Sequence, residues 1–330
     1  MGALNQAQVE QFRELGYLKV EGVLDPATCL DPVIAEYEEV LDSLAADLFA
    51  AGEISSTWAG LPFGPRVTRI YSESGRVHNQ YFDFSLPFAG VKEDTPCWFG
   101  PAVLAAFTAE PLLDVVESLI GPEIYSNPVQ HVRIKPPERE LPTTPDGRPV
   151  IGATGWHQDH GVVTPEADDT DMLTVWFSLY DTPVEAGPLK VVPGSHRGGL
   201  RTHCLNHPVP GAREIPERLF EVDRTVPLPT RRGDLICMHR QTVHGSLSNV
   251  SDRIRWSFDL RYNPIGQHTG REAFPGFVAR SRKAPHLELR DADRWRRSWE
   301  QTRLRMARVN RDGQTDIPFG RWTEGHPDCA

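Results

Sequence analysis

No stretch of the 330-residue chain approaches the ~18–20 consecutive apolar residues that cross a bilayer, so a membrane-spanning protein is not expected. Met1 to Asn5 carry neither the basic nor the apolar region of a secretory leader. Gln6 stands where N-myristoylation needs Ser or Thr. Cysteine is scarce: the five residues, at 29, 97, 204, 237 and 329, are odd in number, widely spaced and without Cys-x-x-Cys. That pattern offers no zinc or thiol-redox motif and suits a reduced, cytoplasmic setting. Positive charge is in deficit, with 35 Lys and Arg against 45 Asp and Glu, a net charge of −10 and a pI near 5.7. Nucleic acid or an anionic membrane held by bulk charge is thereby excluded as a partner.

Several catalytic signatures are missing as well. There is no Gly-x-Ser-x-Gly, hence no α/β-hydrolase nucleophile elbow. Gly147 to Thr154 has the glycine spacing of a phosphate-binding loop but lacks its Lys. His203 and His207 are four apart, yet the Glu of a zinc-protease helix is absent and Pro208 follows. Glu166, Asp168, Asp169 and Asp171 form an acidic run without calcium-loop spacing or its Gly, which reads as a solvated loop.

What is present falls into two textures. Residues 5–16 read as a helix capped by Asn5 and Gln8 and ended by Gly16, followed by a strand at Tyr17 to Val20. Asp25-Pro26 opens a second helix, whose apolar residues keep a 3.6 period to about residue 51. Residues 52–98 are aromatic without a clear period and read as packed loop or as a lid over a pocket. A third helix is expected over about 101–120. From Ile124 onward short strands alternate with turns: Ile124 to Lys135, Leu173 to Leu179, Leu189 to Val192, Thr225 to Leu228, Leu235 to Met238 and Ile254 to Tyr262. Many short strands at turn-punctuated intervals indicate a sandwich or barrel. A helix near 291–310 carries a docking stripe of Ala292, Trp295, Trp299, Met306 and Val309, with an Arg-rich opposite face that reads as solvated. With no repeat and no linker, one domain spanning 1–330 is expected.

The chemistry concentrates in two short stretches, Trp156-His157-Gln158-Asp159-His160 and Val243-His244-Gly245-Ser246. On an extended strand, side chains at i and i+2 share a face, so His157 and Asp159 can reach one ion if that segment is extended. Two His and one carboxylate form the facial set that holds non-haem Fe(II) with three positions open. His157, Asp159 and His244 are the expected metal ligands and catalytic centre.

Four features occur in order: Trp156-His157-Gln158-Asp159; Gly187-Pro188-Leu189 with Pro193-Gly194-Ser195-His196; Gly233-Asp234 before a strand; and His244-Gly245-Ser246 with Asn249, Ser251 and Arg255. Together with Phe12 to Leu24, they make the chain over roughly residues 8–262 resemble the phytanoyl-CoA dioxygenase (PhyH) family of Fe(II)/2-oxoglutarate-dependent oxygenases. The resemblance implies a mainly β fold with flanking helices, a double-stranded β-helix or cupin-like jelly roll. Residues 263–330 would form a C-terminal extension beyond it. It further implies Fe(II), 2-oxoglutarate and O2, with ascorbate as the reductant in vitro. Arg255, eleven positions after His244, would bind the distal carboxylate of 2-oxoglutarate, helped by Ser246. A buried guanidinium keeps its charge and forks onto a carboxylate. Arg253 and Arg261 share the strand parity of Arg255, and only the family spacing chooses among them.

Gln158 and Trp176 match positions near the cosubstrate in the family. Gln130, His131 and Lys135 lie on the strand before the metal loop and are expected either in the pocket wall or in the core. Arg261 is a candidate for a substrate carboxylate. The one departure from the family pattern is Ala186, where Asn often precedes Gly-Pro. The reaction implied is hydroxylation, desaturation or ring closure of a small organic metabolite, with decarboxylation of 2-oxoglutarate to succinate and CO2. Asp159 speaks against halogenation, since halogenases of related fold replace that carboxylate. The pocket would be shaped by residues 58–98 and the loops at 136–149 and 164–171. The competing reading is a jelly-roll metal- or ligand-binding protein without turnover. Nothing in the sequence sets the oligomeric state.

Overall fold

The computed structural model describes residues 3–87, 89–145, 147–205, 213–311 and 321–329. The first helix, α1 (Gln6–Leu15), has the capping box expected of it, with Asn5 and Gln8 each bonding the other's backbone N–H. Gly16 ends it at a φ of 77°, where a Cβ would meet the His196 ring at 2.3 Å. Strand β1 (Tyr17–Val20) follows, and a wide turn at Pro26–Leu30 leads into α2 (Asp31–Ala50). Next come α3 (Phe63–Ser74), α4 (Asn79–Phe82), α5 (Pro101–Phe107) and α6 (Glu110–Ile120).

The strands are β2 (Glu123–Lys135), β3 (Leu173–Ser178), β4 (Leu189–Val191), β5 (Val226–Leu228), β6 (Leu235–His239), β7 (His244–Ser246), β8 (Arg255–Pro264) and β9 (Phe277–Ser281). Among the described residues they form two antiparallel sheets. The larger runs β1-β6-β3-β8-β2-β9 and the smaller β5-β4-β7. This is the double-stranded β-helix that the resemblance implied.

Strand β8 shows how the sequence sorts the two faces of the large sheet. Trp256, Phe258, Leu260 and Tyr262 point outward beneath the helices. The alternate residues Arg255, Ser257, Asp259 and Arg261 point inward, because side chains alternate along a strand. The main core therefore lies between the large sheet and the helices rather than between the two sheets. Phe63 of α3 stacks on Trp256 at 4.4 Å, and Tyr37 of α2 meets the same ring edge-on at 5.1 Å. Each such pair contributes roughly 0.5–1.5 kcal/mol beyond the area it buries. Between the sheets a smaller apolar cluster of Trp176, Leu189, Val191, Leu228, Ile236 and Met238 fills the β3–β6 side. On the β8–β2 side the interior is polar.

Three sequence expectations need correction. The aromatic stretch 52–98 is packed as one of its two readings had it, but it is not irregular throughout: α3 and α4 lie within it, and Phe63, Tyr71, Phe82 and Phe84 pack in the core on the outer face of the large sheet. The helix expected over 101–120 is two, broken at Thr108 and Ala109, with Pro111 restarting it. The cysteines are not all free, since Cys204 and Cys329 form a disulfide that spacing alone could not suggest. The C-terminal helix α7 (Ala292–Arg311) docks as expected, with Trp295 and Trp299 against Phe99. Parts of its Arg-rich face are paired, Arg296 with Asp293 and Glu300 and Arg311 with Glu93. No helix among the described residues is long and apolar enough to cross a membrane.

Thiol titration of the unfolded, unreduced protein is expected to count the three free cysteines, Cys29, Cys97 and Cys237. A count of five would contradict the Cys204–Cys329 bond.

Candidate active site

Two ligands far apart in sequence are joined by backbone. Residue 157 lies opposite residue 244 in an antiparallel bridge, His157 N–H to His244 C=O at 2.9 Å and the reverse at 3.0 Å. Directly opposed residues point to one face, and the two imidazoles stand with ring centroids 4.1 Å apart. Gln158 is extended, at φ −119° and ψ 139°, so Asp159 returns to the face of His157 just as the chain turns into a short 3₁₀ helix at Asp159–Val162. One Asp159 oxygen lies 3.9 Å from Nε2 of each imidazole, and one donor atom from each of the three residues falls within 4.8 Å of the others.

The second ring nitrogens settle which atoms face inward. His157 Nδ1–H donates to the Gly155 carbonyl and His244 Nδ1–H to that of Thr242, both at 2.9 Å. A carbonyl can only accept, so each Nε2 keeps its lone pair for a metal. Burial, then the neighbouring His244, pushes His157 down to about 3, which keeps it neutral as a ligand must be. A Cβ at Gly155 would sit 1.8 Å from a Glu214 oxygen, so a larger residue there would displace the Glu214 carboxylate.

Asp159 is only 1 % exposed. Burial alone would raise its carboxyl, but the Arg261 guanidinium and the two imidazoles outweigh it and hold the group well below the usual carboxylate range. Arg261 donates to one Asp159 oxygen at 2.6 Å and Thr174 to the other. Thr174 and Arg261 are register partners across β3 and β8, so adjacent strands present both donors to one carboxylate.

The remaining candidates divide. Arg261 lines the cavity and is engaged by Asp159 and, at 3.1 Å, Asp259, so it orients the Asp159 carboxylate. Gln130 is buried, its amide donating to Phe84 C=O at 2.8 Å, and does not line the cavity. Gln158, on the face opposite its neighbours, donates to Gly199 and Gln241 carbonyls and accepts from Arg201 N–H. All its polar groups are thus used in tying loops together, and none is left for a cosubstrate. His131 lines the cavity with Nδ1 held by Asp83 at 3.0 Å. His203 accepts from Gln158 N–H at 2.9 Å, and His207 lies outside the described residues.

Arg255, Trp176, Ser246 and Lys135 gather on the inner face. Arg255 and Lys135 are register partners, the guanidinium lies 5.8 Å from the Trp176 ring, and Lys135 Nζ donates to Ser246 Oγ at 3.0 Å. Burial, then Arg133, draws Arg255 down to about 9, so it remains charged at neutral pH.

The cavity before the triad encloses about 350 Å³ and includes Thr154, Val162, Arg133, Arg213 and Arg271 in its wall. Among the described residues, none of 58–98, 136–149 or 164–171 takes part in that lining. Sequence reasoning missed Thr174, Asp259 and Arg133, though strand parity with Trp176 on β3, with Arg255 and Arg261 on β8 and with Lys135 on β2 could have found them. It also missed the terminal segment 321–329, which backs the metal loop. There Trp322 stacks on His203 and donates to Gly161 C=O at 2.7 Å.

An antiparallel jelly roll that brings His-x-Asp and a distant His to one point defines a non-haem iron oxygenase of the 2-oxoglutarate-dependent class. The sequence matches the family described as phytanoyl-CoA dioxygenase (PhyH) over residues 12–257, and the chain belongs to that family. It is 24 % identical over 268 residues to phytanoyl-CoA dioxygenase domain-containing protein 1 of Bos taurus, covering 78 % of this chain and 89 % of that protein. Over 158 residues it is 27 % identical to an L-proline trans-4-hydroxylase of Streptomyces griseoviridis, covering 42 % of this chain and 56 % of the relative. Among solved structures, the apo non-haem monooxygenase ThoJ superposes with a TM-score of 0.57 at 17 % identity, covering 93 % of this chain and 100 % of that one.

Arg261→Met is expected to weaken Mn(II) or Fe(II) affinity about 10–100-fold, as loss of a carboxylate's supporting partner typically does. Calorimetric titration of the metal checks this, and unchanged affinity would contradict the orienting role.

Proposed function

We propose that this protein oxidises a small organic metabolite, by hydroxylation in the first instance, and converts 2-oxoglutarate to succinate and CO2 in the same turnover. The observation that carries this reading is the pairing of the His157, Asp159 and His244 donor set with a buried cationic site on the same inner face. The donor set suits Fe(II), with two neutral imidazoles and one ionised carboxylate. When bound, Fe(II) would activate O2, the four-electron oxidant, with 2-oxoglutarate and the substrate C–H bond each giving up two electrons, so that one oxygen atom passes to succinate and the other to the substrate.

The cationic site suits a carboxylate. Arg255 Nε is buried without a hydrogen-bond partner, and an unmet buried donor costs about 1–3 kcal/mol. Ser246 Oγ accepts from Thr154 N–H at 2.8 Å and from Lys135 Nζ at 3.0 Å. A hydroxyl has two acceptor positions and one donor, so its O–H is left to donate. Arg255, Ser246 and Lys135 would hold the distal carboxylate, with Trp176 closing the apolar side. The partial likeness to an L-proline hydroxylase favours a small substrate over a bulky acyl-CoA.

The protein's own work is positional. Arg261 and Thr174 fix the Asp159 carboxylate, and the Gly155 and Thr242 carbonyls fix the imidazoles.

Succinate is expected from 2-oxoglutarate with Fe(II), ascorbate and a metabolite library, and Arg255→Ala should raise the Kd for 2-oxoglutarate about 10–100-fold. Absence of succinate under air with iron bound would instead favour a binding protein. Lys135 adds a pH dependence. Burial, then Arg255, holds its ammonium well below the ordinary value, and an arriving carboxylate raises it again. Affinity for 2-oxoglutarate is therefore expected to fall as pH rises through the depressed value of the free protein toward the higher value of the complex. Titrations across pH check this, and Lys135→Met should flatten the slope.

A further inference from the structure

Among the described residues, the cavity before the triad is rich in guanidinium groups. Four face it, from Arg133, Arg213, Arg261 and Arg271, against the carboxylates of Asp159, Asp259 and Glu214. Both aspartates are held by Arg261. Fe(II) and the 2-oxoglutarate dianion cancel one another, so the loaded site keeps an excess of positive charge.

Arg133 is the group that stands apart. It lies on β2 between His131 and Lys135, and its register partner is Ser257 of β8. His131 is held by Asp83, Lys135 by Ser246, Thr154 and Gly152, and the Ser257 hydroxyl accepts from Arg255. No hydrogen bond or ion pair among the described residues engages the Arg133 guanidinium, although it lines the cavity and is exposed there. Its charge also bears on Arg255, Lys135, Arg271 and His131, each of whose protonated forms it disfavours. Among the described residues no carboxylate is paired with Arg133 to offset that repulsion. An incoming anion relieves that repulsion.

We propose that the substrate carries an oxyanion group, carboxylate or phosphate, and that Arg133 is the residue that selects for it by a forked, bidentate contact. The planar guanidinium matches that geometry. A cavity of about 350 Å³ is at the small end of the range for ligand sites, so the anion belongs to a compact molecule whose reactive carbon lies near the triad. The inference rests on the oxygenase reading, and its test separates the two.

The experiment uses the full chain loaded with Mn(II), which is redox-inert here and paramagnetic, and saturated with 2-oxoglutarate. The probes are matched sets of aliphatic, cyclic and aromatic carboxylates, the corresponding phosphate monoesters, and the primary amides of the same skeletons. Binding near the metal is read as broadening of probe resonances. Carboxylates, phosphates or both are expected to broaden where the amides do not, and which of the two does so identifies the anion. Arg133→Met should weaken that binding about tenfold or more, the loss of one charge-assisted contact, with the Kd for 2-oxoglutarate unchanged. Amides that bind as well as acids, no broadening by any anion, or a preference that survives in Arg133→Met would overturn the proposal. So would a variant that loses 2-oxoglutarate, since Arg133 would then serve the cosubstrate. Failure of the wild type to bind 2-oxoglutarate would remove the oxygenase reading itself and is seen before any probe is added.

Discussion

A carboxylate almost wholly withdrawn from water, Asp159, sets the terms for the interior of this jelly roll. Removing such a charge from solvent costs several kcal/mol unless partners offset it. Arg261 supplies the opposite charge at 2.6 Å and Thr174 a hydroxyl donor, both from the central strands of the large sheet. Arg261 is in turn shared with Asp259, two residues before it on the same face. The ion pair therefore ties the metal loop to the sheet. Breaking it would leave a buried charge without a partner.

The fold separates this polar interior from the source of stability. The dense aromatic core lies outside the large sheet, beneath α2, α3, α5, α6 and α7, where Trp256, Phe258 and Tyr262 meet Tyr37, Phe63, Phe84 and Phe107. Among the described residues, the β3–β6 side of the space between the sheets is packed with apolar groups. The β8–β2 side is thereby free to hold Arg255, Lys135, Asp259 and Arg133 in one chamber. One strand, β8, serves both sides through alternation alone.

Much of this was legible in the sequence, for specific reasons. His157, Asp159 and His244 could be named because i and i+2 share a face on extended chain, and the structure keeps that geometry through Gln158. Most strands were visible from turn spacing, though β9 was not, and the α1 cap was visible from Asn5 and Gln8. The rest depended on contacts that local pattern does not carry. The pairing of Arg261 with both Asp159 and Asp259 was hidden because nothing nearby in sequence shows that the two will reach it. Gln158 and Gln130 looked available for the same reason, yet backbone groups from distant loops occupy their amides. The aromatic stretch 52–98 has no period of its own because its rings fit the surface of a sheet formed by later residues. The pairing of Cys204 with Cys329 follows from the tail folding back behind the metal loop, which spacing could not reveal.

The most direct test of the account is anaerobic titration of Fe(II) into the protein, followed by 2-oxoglutarate, with visible absorption as the readout. Chelation of the keto acid to Fe(II) is expected to give a charge-transfer band at one iron per chain in the wild type and none in Asp159→Ala. A band of undiminished strength in that variant, or no band in the wild type with iron bound, would contradict the assignment of these three side chains to a single iron that takes 2-oxoglutarate.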